Sequence, residues 1–266
     1  MKIIVCVKQV PDTSGKVAVN PDGTLNRASM ATITNPDDLN AVEAALVLKE
    51  QTGAEVVVVC MGPPPAEGML RELMAMGVDE GVLVTAREFG GSDTYATSQI
   101  LAAAINKIGV EAEDIVMCGR QAIDGDTAQV GPQIAEKLGL PQISYAADIQ
   151  LDGNVVTVKR MLEDGYMTVK TQTPCLITCI KELNEPRYMS VYGIFDCYSK
   201  PYEVLDYNAL KDDPLIDPST IGLMGSPTNI LTSFTPPQKG AGMMLEGADK
   251  ATCDQLAGML AAKHMI

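Results

Sequence analysis

Four short runs of apolar residues, each followed by a segment with helical spacing, constrain the fold of this chain more than any other feature. The runs lie at residues 3–7, 55–61, 81–85 and 115–118. They are apolar at consecutive positions, which is typical of strands covered on both faces, as in parallel sheets. The repeated strand–helix order predicts a doubly wound α/β domain with a mostly parallel sheet. Ligands of such domains bind where the carboxyl ends of the strands meet.

Helix boundaries are also marked in the sequence. Asn35 and Pro36 predict the start of the first helix, because asparagine caps free amides and proline suits the first helical position. Further helices are predicted at residues 66–76, 95–108 and 127–138, each followed by a glycine. Asp126 or Thr127 is predicted to cap the last of these with a side-chain oxygen. The turn sequence Asn20-Pro21-Asp22-Gly23 predicts a small hairpin at residues 16–27.

Beyond residue 141 the pattern changes to strand-like segments separated by turn sequences. They lie at residues 143–151, 155–161, 167–171 and 175–180, and glycine-containing turns between them favour hairpins. We expect an antiparallel extension of the same sheet.

Residues 184–217 show no periodicity and hold six of the eleven aromatic residues. This concentration favours a partner-contacting loop over a linker. Residues 226–242 predict an extended arm, and residues 249–263 a final helix. We therefore expect a nucleotide-binding domain at residues 1–217 and a C-terminal arm and helix at residues 218–266.

The strongest candidate site is the loop at residues 118–131, which joins the fourth apolar run to its helix. Free amides and the positive end of a helix dipole form a seat for a phosphate. Gly119, Gly125 and Gly131 are predicted to let the backbone approach a ligand closely. The alternative is a polar loop that caps the helix and binds nothing.

The motifs that the sequence lacks, its single histidine and its net charge disfavour several functions. It has neither G-x-G-x-x-G nor a P-loop motif, which argues against an ordinary nicotinamide dehydrogenase or an ATPase, though not against nucleotide binding. Its single histidine, His264, lies two residues from the end, so we expect no catalytic residue and no metal site. A net charge of −14 argues against nucleic-acid binding.

The cysteine pattern and the lengths of the apolar runs indicate where in the cell the protein is expected. Seven cysteines without a C-x-x-C pair favour reduced thiols, and no run suggests a signal peptide or a membrane span, so we expect a cytoplasmic protein. Cys6, Cys60 and Cys118 end predicted strands and either line a pocket or pack in the core. Cys175 and Cys179 lie too far apart along a strand for a disulfide.

Over essentially its full length, the chain resembles the β (small) subunit of electron transfer flavoproteins. The matching residues are Val5-Cys6-Val7-Lys8, Asn35-Pro36, Met61-Gly62-Pro63, Gln121-Ala122-Ile123-Asp124 and Asn184-Glu185-Pro186-Arg187-Tyr188. Residues 158–178 also resemble a sequence signature of this family. The matching residues there are Arg160, Glu163-Asp164-Gly165, Val169 and Pro174. The resemblance implies an adenine-nucleotide α-hydrolase-like variant of the Rossmann fold. It also implies a heterodimer with a larger α subunit that carries FAD.

The resemblance further implies that this chain holds its own nucleotide. In housekeeping members this is a structural AMP, and in electron-bifurcating members it is a second FAD reduced by NADH. Residues 35–38 and 91–98 resemble the bifurcating group, so FAD is expected and AMP is the alternative. The expected cofactor-binding residues are Cys6, Asn35, Asp38, Met61, Thr94, Thr97, Asp124, Gly125, Asp126, Thr127, Gln129, Val130 and Gly131.

The function implied is that of an electron carrier with NADH-oxidising flavin activity only in the αβ complex. NADH gives a hydride to the flavin of this chain, which passes one electron to a low-potential acceptor, ferredoxin or flavodoxin, and the other to the α-subunit FAD. That FAD in turn serves a dehydrogenase such as an acyl-CoA dehydrogenase. The alternatives are a non-bifurcating β subunit with AMP and a nucleotide-sensing regulatory module.

Partner contacts are implied by the same resemblance. Residues 184–200 resemble the loop that docks the dehydrogenase, and residues 218–266 are expected to pack on the α subunit. Met167 stands where the family usually has Glu or Gln. In the family, the acid at this position helps to position the flavin domain of the partner subunit. The expected docking residues are Glu185, Arg187, Tyr188, Val191, Tyr192 and Phe195.

Overall fold

The protein is described by a computed structural model, which covers residues 1–12, 31–228, 231 and 240–266. The hairpin predicted at residues 16–27 and part of the predicted arm lie outside these residues. Within them, no helix combines the length and the apolar character that crossing a bilayer requires.

One large sheet organises the described part of the chain. Its nine strands are β1 (Lys2–Val7), β4 (Glu55–Met61), β5 (Glu80–Val84), β6 (Ile115–Gly119), β7 (Gln142–Asp152), β8 (Val155–Met161), β9 (Tyr166–Gln172), β10 (Cys175–Cys179) and β11 (Tyr202–Leu205). They are ordered β11-β5-β4-β1-β6-β10-β7-β8-β9. A small antiparallel pair is formed by β2 (Gln9–Pro11) and β3 (Thr32–Thr34).

Seven helices accompany these strands in the described residues. They are α1 (Pro36–Thr52), α2 (Glu67–Met76), α3 (Thr94–Ile108), α4 (Val130–Leu138), α5 (Val191–Asp196), α6 (Tyr207–Leu210) and α7 (Lys250–Ala262). Short 3-10 turns occur at Pro64–Ala66, Arg87–Phe89 and Lys181–Leu183.

The core lies on both faces of the sheet, as the continuous apolar runs predict. In β1, Ile3, Val5 and Val7 face α1 and α2, whereas Ile4 and Cys6 face α3 and α4. Both sets of side chains are buried, so neither face of the strand can be polar. The doubly wound α/β prediction is therefore confirmed.

The second half of the chain corrects two predictions. The segment around Cys175–Cys179 was expected within the antiparallel extension, but β10 pairs in parallel with both β6 and β7. In the large sheet, only β8 runs antiparallel to its neighbours, β7 and β9. Strand length and burial do not encode direction, and the partners of β10 lie in parts of the chain well before it.

Residues 184–217, expected to be an irregular loop, contain the elements α5, β11 and α6. The strand β11 pairs in parallel with β5 and forms the edge of the sheet. It has only four residues, two of them exposed, so it has too little apolar character to be recognised in the sequence. Tyr202 and Tyr207, counted among the aromatic residues of the expected loop, pack against the core instead.

Candidate nucleotide-binding site

A cavity of about 400 Å³ opens at the carboxyl ends of β1 and β6, between the first turns of α3 and α4. Its volume lies within the range of about 300–1,000 Å³ common for small-molecule sites. Ten of the thirteen expected residues line it, namely Cys6, Asp38, Met61, Thr94, Thr97, Gly125, Thr127, Gln129, Val130 and Gly131. Asn35, Asp124 and Asp126 lie behind or beside the lining.

The floor of the cavity is organised by Asp38, in the first turn of α1. Its buried carboxylate accepts hydrogen bonds from the Lys8 amide at 2.9 Å and from the Gly119 amide at 2.8 Å. Burial raises the pKa of Asp38 to about 7, although the two amides and Asn35 act in the opposite direction. Asp38 thereby joins the ends of β1 and β6 to α1.

Asn35 holds the candidate loop from behind. Its Nδ2 donates to the carbonyl of Gln121 at 2.8 Å, and its Oδ1 accepts from the Ile123 amide at 3.1 Å. Asn35 precedes α1, as predicted, but its side chain makes no capping hydrogen bond. The prediction of a side-chain cap is therefore wrong, because the same polar atoms bind the loop at residues 121–123.

The loop itself also departs from the sequence prediction. Helix α4 begins at Val130, three residues later than expected, and Gln129 at its N-cap position makes no side-chain capping bond. Asp126 and Ala128 adopt left-handed backbone conformations, with φ of 51° and 52°. Asp126 or Thr127 was expected to cap α4, and this expectation is wrong because the backbone is not yet helical there. The first-turn amides of α4 are left without a side-chain cap.

The acidic side chains of the loop are paired within the protein. Asp124 forms an ion pair with the Lys8 ammonium at 2.8 Å, and Asp126 accepts a hydrogen bond from Gln121 Nε2 at 2.8 Å. The ion pair offsets the charge of Asp124, and the hydrogen bond occupies one oxygen of Asp126. The ion pair therefore weakens the repulsion that Asp124 would exert on an anionic ligand.

The glycines of the loop serve different purposes. A Cβ on Gly119 would contact the Asp38 carboxylate, and one on Gly131 would lie 2.7 Å from Cys118 Sγ and 2.8 Å from Thr178 Cγ2. These two glycines let elements of the protein itself pack closely. At Gly125, by contrast, no atom lies within 4 Å of a built Cβ. Of the three glycines predicted to allow close approach of a ligand, Gly125 alone faces open space.

The opposite wall comes from α3 and the segment before it. Asp93 caps α3 by accepting from the Ala96 amide at 3.0 Å, and the Thr94 hydroxyl lies 3.1 Å from Gln129 Oε1 across the cavity. Met61, Phe89 and Leu101 add apolar side chains to this wall. The cavity thus has uncapped amides at its α4 end and, beside α3, apolar side chains among the polar Thr94 and Thr97.

Several lining residues were not singled out from the sequence. Phe89 follows the β5 strand end, where the fold places ligand contacts, so its position was a usable signal. Lys8 and Arg120 likewise follow strand ends, whereas Leu101 lies inside α3 and carries no local signal.

The cysteine thiols and the Arg120 guanidinium of the cavity are neither activated nucleophiles nor unpaired charges. Burial raises the pKa of the Cys6 thiol to about 12 and that of Cys118 well above its ordinary value, so both thiols are neutral. Arg120 Nε lies 3.3 Å from Asp37 Oδ2, so this guanidinium is already neutralised. Among the described residues, no cluster of histidine, cysteine and carboxylate side chains is arranged to hold a metal ion.

The expected docking residues lie on a separate surface. Tyr188, Val191, Tyr192 and Phe195 are exposed, and so is Glu185. Arg187 is instead paired with Glu43 and Glu50 of α1. Met167 is exposed on β9, directly opposite Arg160 of β8.

The fold and the cavity together define an α/β protein with a doubly wound, mostly parallel sheet and a ligand-sized cavity at its carboxyl edge. Comparison with known proteins makes this class more specific. The family model described as "Electron transfer flavoprotein domain" matches residues 22–204. The chain belongs to the electron transfer flavoprotein family, as a β-type subunit of complexes that contain further subunits.

Individual relatives are similar over the whole chain. The chain is 67% identical to the acryloyl-CoA reductase electron transfer subunit gamma of Anaerotignum propionicum, over 100% of both chains. It is 50% identical to the caffeyl-CoA reductase–Etf complex subunit CarD of Acetobacterium woodii, over 99% of this chain and 97% of the relative. It is 49% identical to the electron transfer flavoprotein subunit beta of Clostridium acetobutylicum, over 100% of both. The family resemblance found in the sequence is confirmed.

Proposed function

We propose that this chain is the small subunit of an electron-bifurcating electron transfer flavoprotein and holds FAD in the cavity at the carboxyl edge of the sheet. The observation that carries the proposal is the two-ended character of this cavity. The uncapped first turn of α4 suits a phosphate, whereas Met61, Phe89 and Leu101 offer an apolar surface against which an aromatic ring of the cofactor can pack.

The residues present fit such a cofactor. The amides around Thr127, Gln129 and Gly131 would hold the pyrophosphate, and Cys6 and Thr94 lie on the side where a flavin ring needs space. Asn35 and Asp38 would act from behind, since they fix the loop and the strand ends. When bound, FAD supplies the redox chemistry, including acceptance of a hydride from NADH. The protein contributes amide dipoles and burial, which influence the potential of the cofactor.

The partners that we propose are a larger α subunit with its own FAD, ferredoxin or flavodoxin, and a dehydrogenase of the acyl-CoA type. Two relatives similar over the whole chain are named as an electron transfer subunit of acryloyl-CoA reductase and as a subunit of a caffeyl-CoA reductase–Etf complex, which supports the last of these. The exposed aromatic surface at residues 188–198 suits docking of such an enzyme. All seven cysteines are free, as expected of the reducing cytoplasm that we propose for the complex.

The test is to count the flavins in the purified αβ complex. We expect two flavins per heterodimer, both bleached by NADH. One flavin together with AMP released on denaturation would favour the non-bifurcating alternative. Failure of any flavoprotein subunit to co-purify would favour a regulatory module.

A pair of variants tests whether one of the two flavins is bound in this cavity. Thr97 lines the cavity from α3, whereas Tyr95 on the same turn does not. Thr97→Trp is expected to lower the count to one flavin, because the larger side chain fills the cavity. Tyr95→Trp is the matched control and is expected to leave two.

A further inference from the structure

A group of exposed apolar side chains surrounds the short helix α5. Tyr188, Val191, Tyr192, Phe195 and Tyr198 are between 73% and 96% exposed, and we call this group the docking face. Helix α5 has only six residues, fewer than an isolated helix needs to be stable in water. The conformation of the docking face must therefore be held by contacts with the rest of the protein.

One set of contacts comes from α1. The Arg187 guanidinium donates to both carboxylate oxygens of Glu43 at 2.9 Å, and its Nη1 lies 2.5 Å from Glu50 Oε1. The Arg187 amide also donates to Glu43 at 3.0 Å. Glu43 is buried, and a bidentate pair of this kind is stronger and more directional than an ordinary surface ion pair. The hydrogen bonds raise the pKa of Arg187 and lower that of Glu50.

Helix α1 also holds Asn184, three residues before Arg187 in the chain. Asn40 Nδ2 donates to the Asn184 carbonyl at 2.8 Å, and Asn184 Nδ2 donates to the Asn40 carbonyl at 3.0 Å. Asn40 and Glu43 lie one turn apart on α1 and therefore share a face. The chain is thus fixed at residues 184 and 187, immediately before the docking face begins.

A second set of contacts holds the far side of α5 against α2. Arg71 donates to the Cys197 carbonyl at 2.8 Å, and Lys200 donates to the carbonyls of Met74 and Val78 at 2.9 and 2.8 Å. Gly193 of α5 lies so close to α2 that an added Cβ would collide with the Ala75 carbonyl oxygen. The docking face is therefore anchored at both ends.

We propose that Arg187 is a positioning residue, which acts through its ion pairs with α1 to hold the docking face ready for the acyl-CoA reductase-type partner. This inference rests on the proposed function. The guanidinium is already bonded to two carboxylates, so its contribution lies in fixing the segment that follows rather than in touching the partner. A segment ordered before binding loses less conformational entropy on binding, which strengthens the complex.

The test uses the αβ complex with Arg187→Ala, Arg187→Lys and Glu43→Gln. We expect Arg187→Ala to raise the Kd for the purified reductase about tenfold, or about 1.4 kcal/mol. Lysine keeps the charge but lacks the bidentate geometry, so Arg187→Lys should restore part of the affinity. The KM for the complex in reductase turnover should rise while kcat stays the same. Amide hydrogen exchange over residues 188–198 should become faster.

Lys107→Ala is the matched control. It removes one positive charge from α3, on the other face of the sheet, and is expected to change the Kd less than twofold. NADH-dependent dye reduction and flavin content should be unchanged by Arg187→Ala, because neither uses the docking face.

Two results separate this inference from the proposed function. If the wild-type complex does not bind the reductase, the proposed function fails, and hydrogen exchange alone then tests whether Arg187 orders the segment. If the wild type binds but Arg187→Ala and Glu43→Gln bind within twofold of it, the positioning role is overturned. Unchanged exchange over residues 188–198 would overturn it as well.

Discussion

Among single residues, Asp38 has the most demanding environment. Its carboxylate is buried beneath the cavity and receives the amides of Lys8 and Gly119, from two different strands. Loss of water destabilises the charged form, and this cost outweighs the hydrogen bonds, so the pKa rises to about 7. Stability and the structure of the cavity floor are therefore linked to pH through one group.

The sign of this linkage is defined by the direction of the shift. The folded-state pKa of about 7 exceeds the ordinary value of 3.8, so the folded protein retains a proton that the unfolded chain has lost. The stabilisation that results is fully present below about pH 3.8 and is lost as the pH rises through about 7. We expect the unfolding free energy of the wild type, relative to Asp38→Asn, to fall by about 1.4 kcal/mol per pH unit in this window.

Urea unfolding of both proteins at pH 5, 6, 7 and 8 measures this difference. Other carboxylates titrate in both proteins, so their contributions cancel in the comparison. Between pH 7 and 8 the difference should become nearly constant. Parallel stability curves over the whole range would contradict the prediction.

At the scale of elements, two helix caps of the same type are placed in very different surroundings. Asp93 caps α3, whose first turn lines the cavity and whose interior is buried, and Asp93 Oδ2 also accepts from the Thr228 amide at 2.9 Å. Asp249 caps α7, in which no residue is buried. The value of a cap to the whole fold depends on whether its helix is packed against the core.

We expect Asp93→Ala to lower the free energy of unfolding by about 1–2 kcal/mol, because it leaves amides of α3 unpaired. Asp249→Ala is the matched substitution and should leave the global unfolding midpoint unchanged, since α7 contributes no buried residue to the core of this chain. Thermal unfolding of the isolated chain measures both. Equal losses in the two variants would show that α7 is part of the cooperative fold.

At the scale of the whole molecule, the C-terminal residues do not contribute to the core. Residues 240–266 include no buried position, and Met243, Met244 and Ile266 are exposed. An apolar surface of this kind is typical of a segment that another protein covers. This is consistent with the proposal that the C-terminal segment packs on the α subunit.

Deletion of residues 240–266 tests that proposal. The isolated chain should keep its unfolding midpoint, because no buried residue is removed. Its affinity for the α subunit should fall at least about tenfold, or about 1.4 kcal/mol. Co-purification and titration of the two subunits provide the measurement. Full affinity after deletion would show that the interface lies elsewhere.

The sequence by itself determined the main architecture of this protein. Continuous apolar runs such as residues 3–7 can be buried only between two layers, so a doubly wound sheet and a site at its carboxyl edge followed. Ten of the thirteen residues that the family resemblance named line the cavity, because strand ends and helix starts converge at one edge.

Only the tertiary structure decided how polar side chains in these segments are used. Asn35 and Asp126 have the chemistry of helix caps, but Asn35 binds a loop 86 residues away in sequence, and Asp126 receives the side chain of Gln121. Likewise, the parallel direction of β10 and the pairing of Arg187 with α1 depend on segments far apart in the chain. Apolar burial follows from local pattern, whereas a polar atom takes the partner that folding brings within hydrogen-bond distance, and a single sequence does not specify that partner.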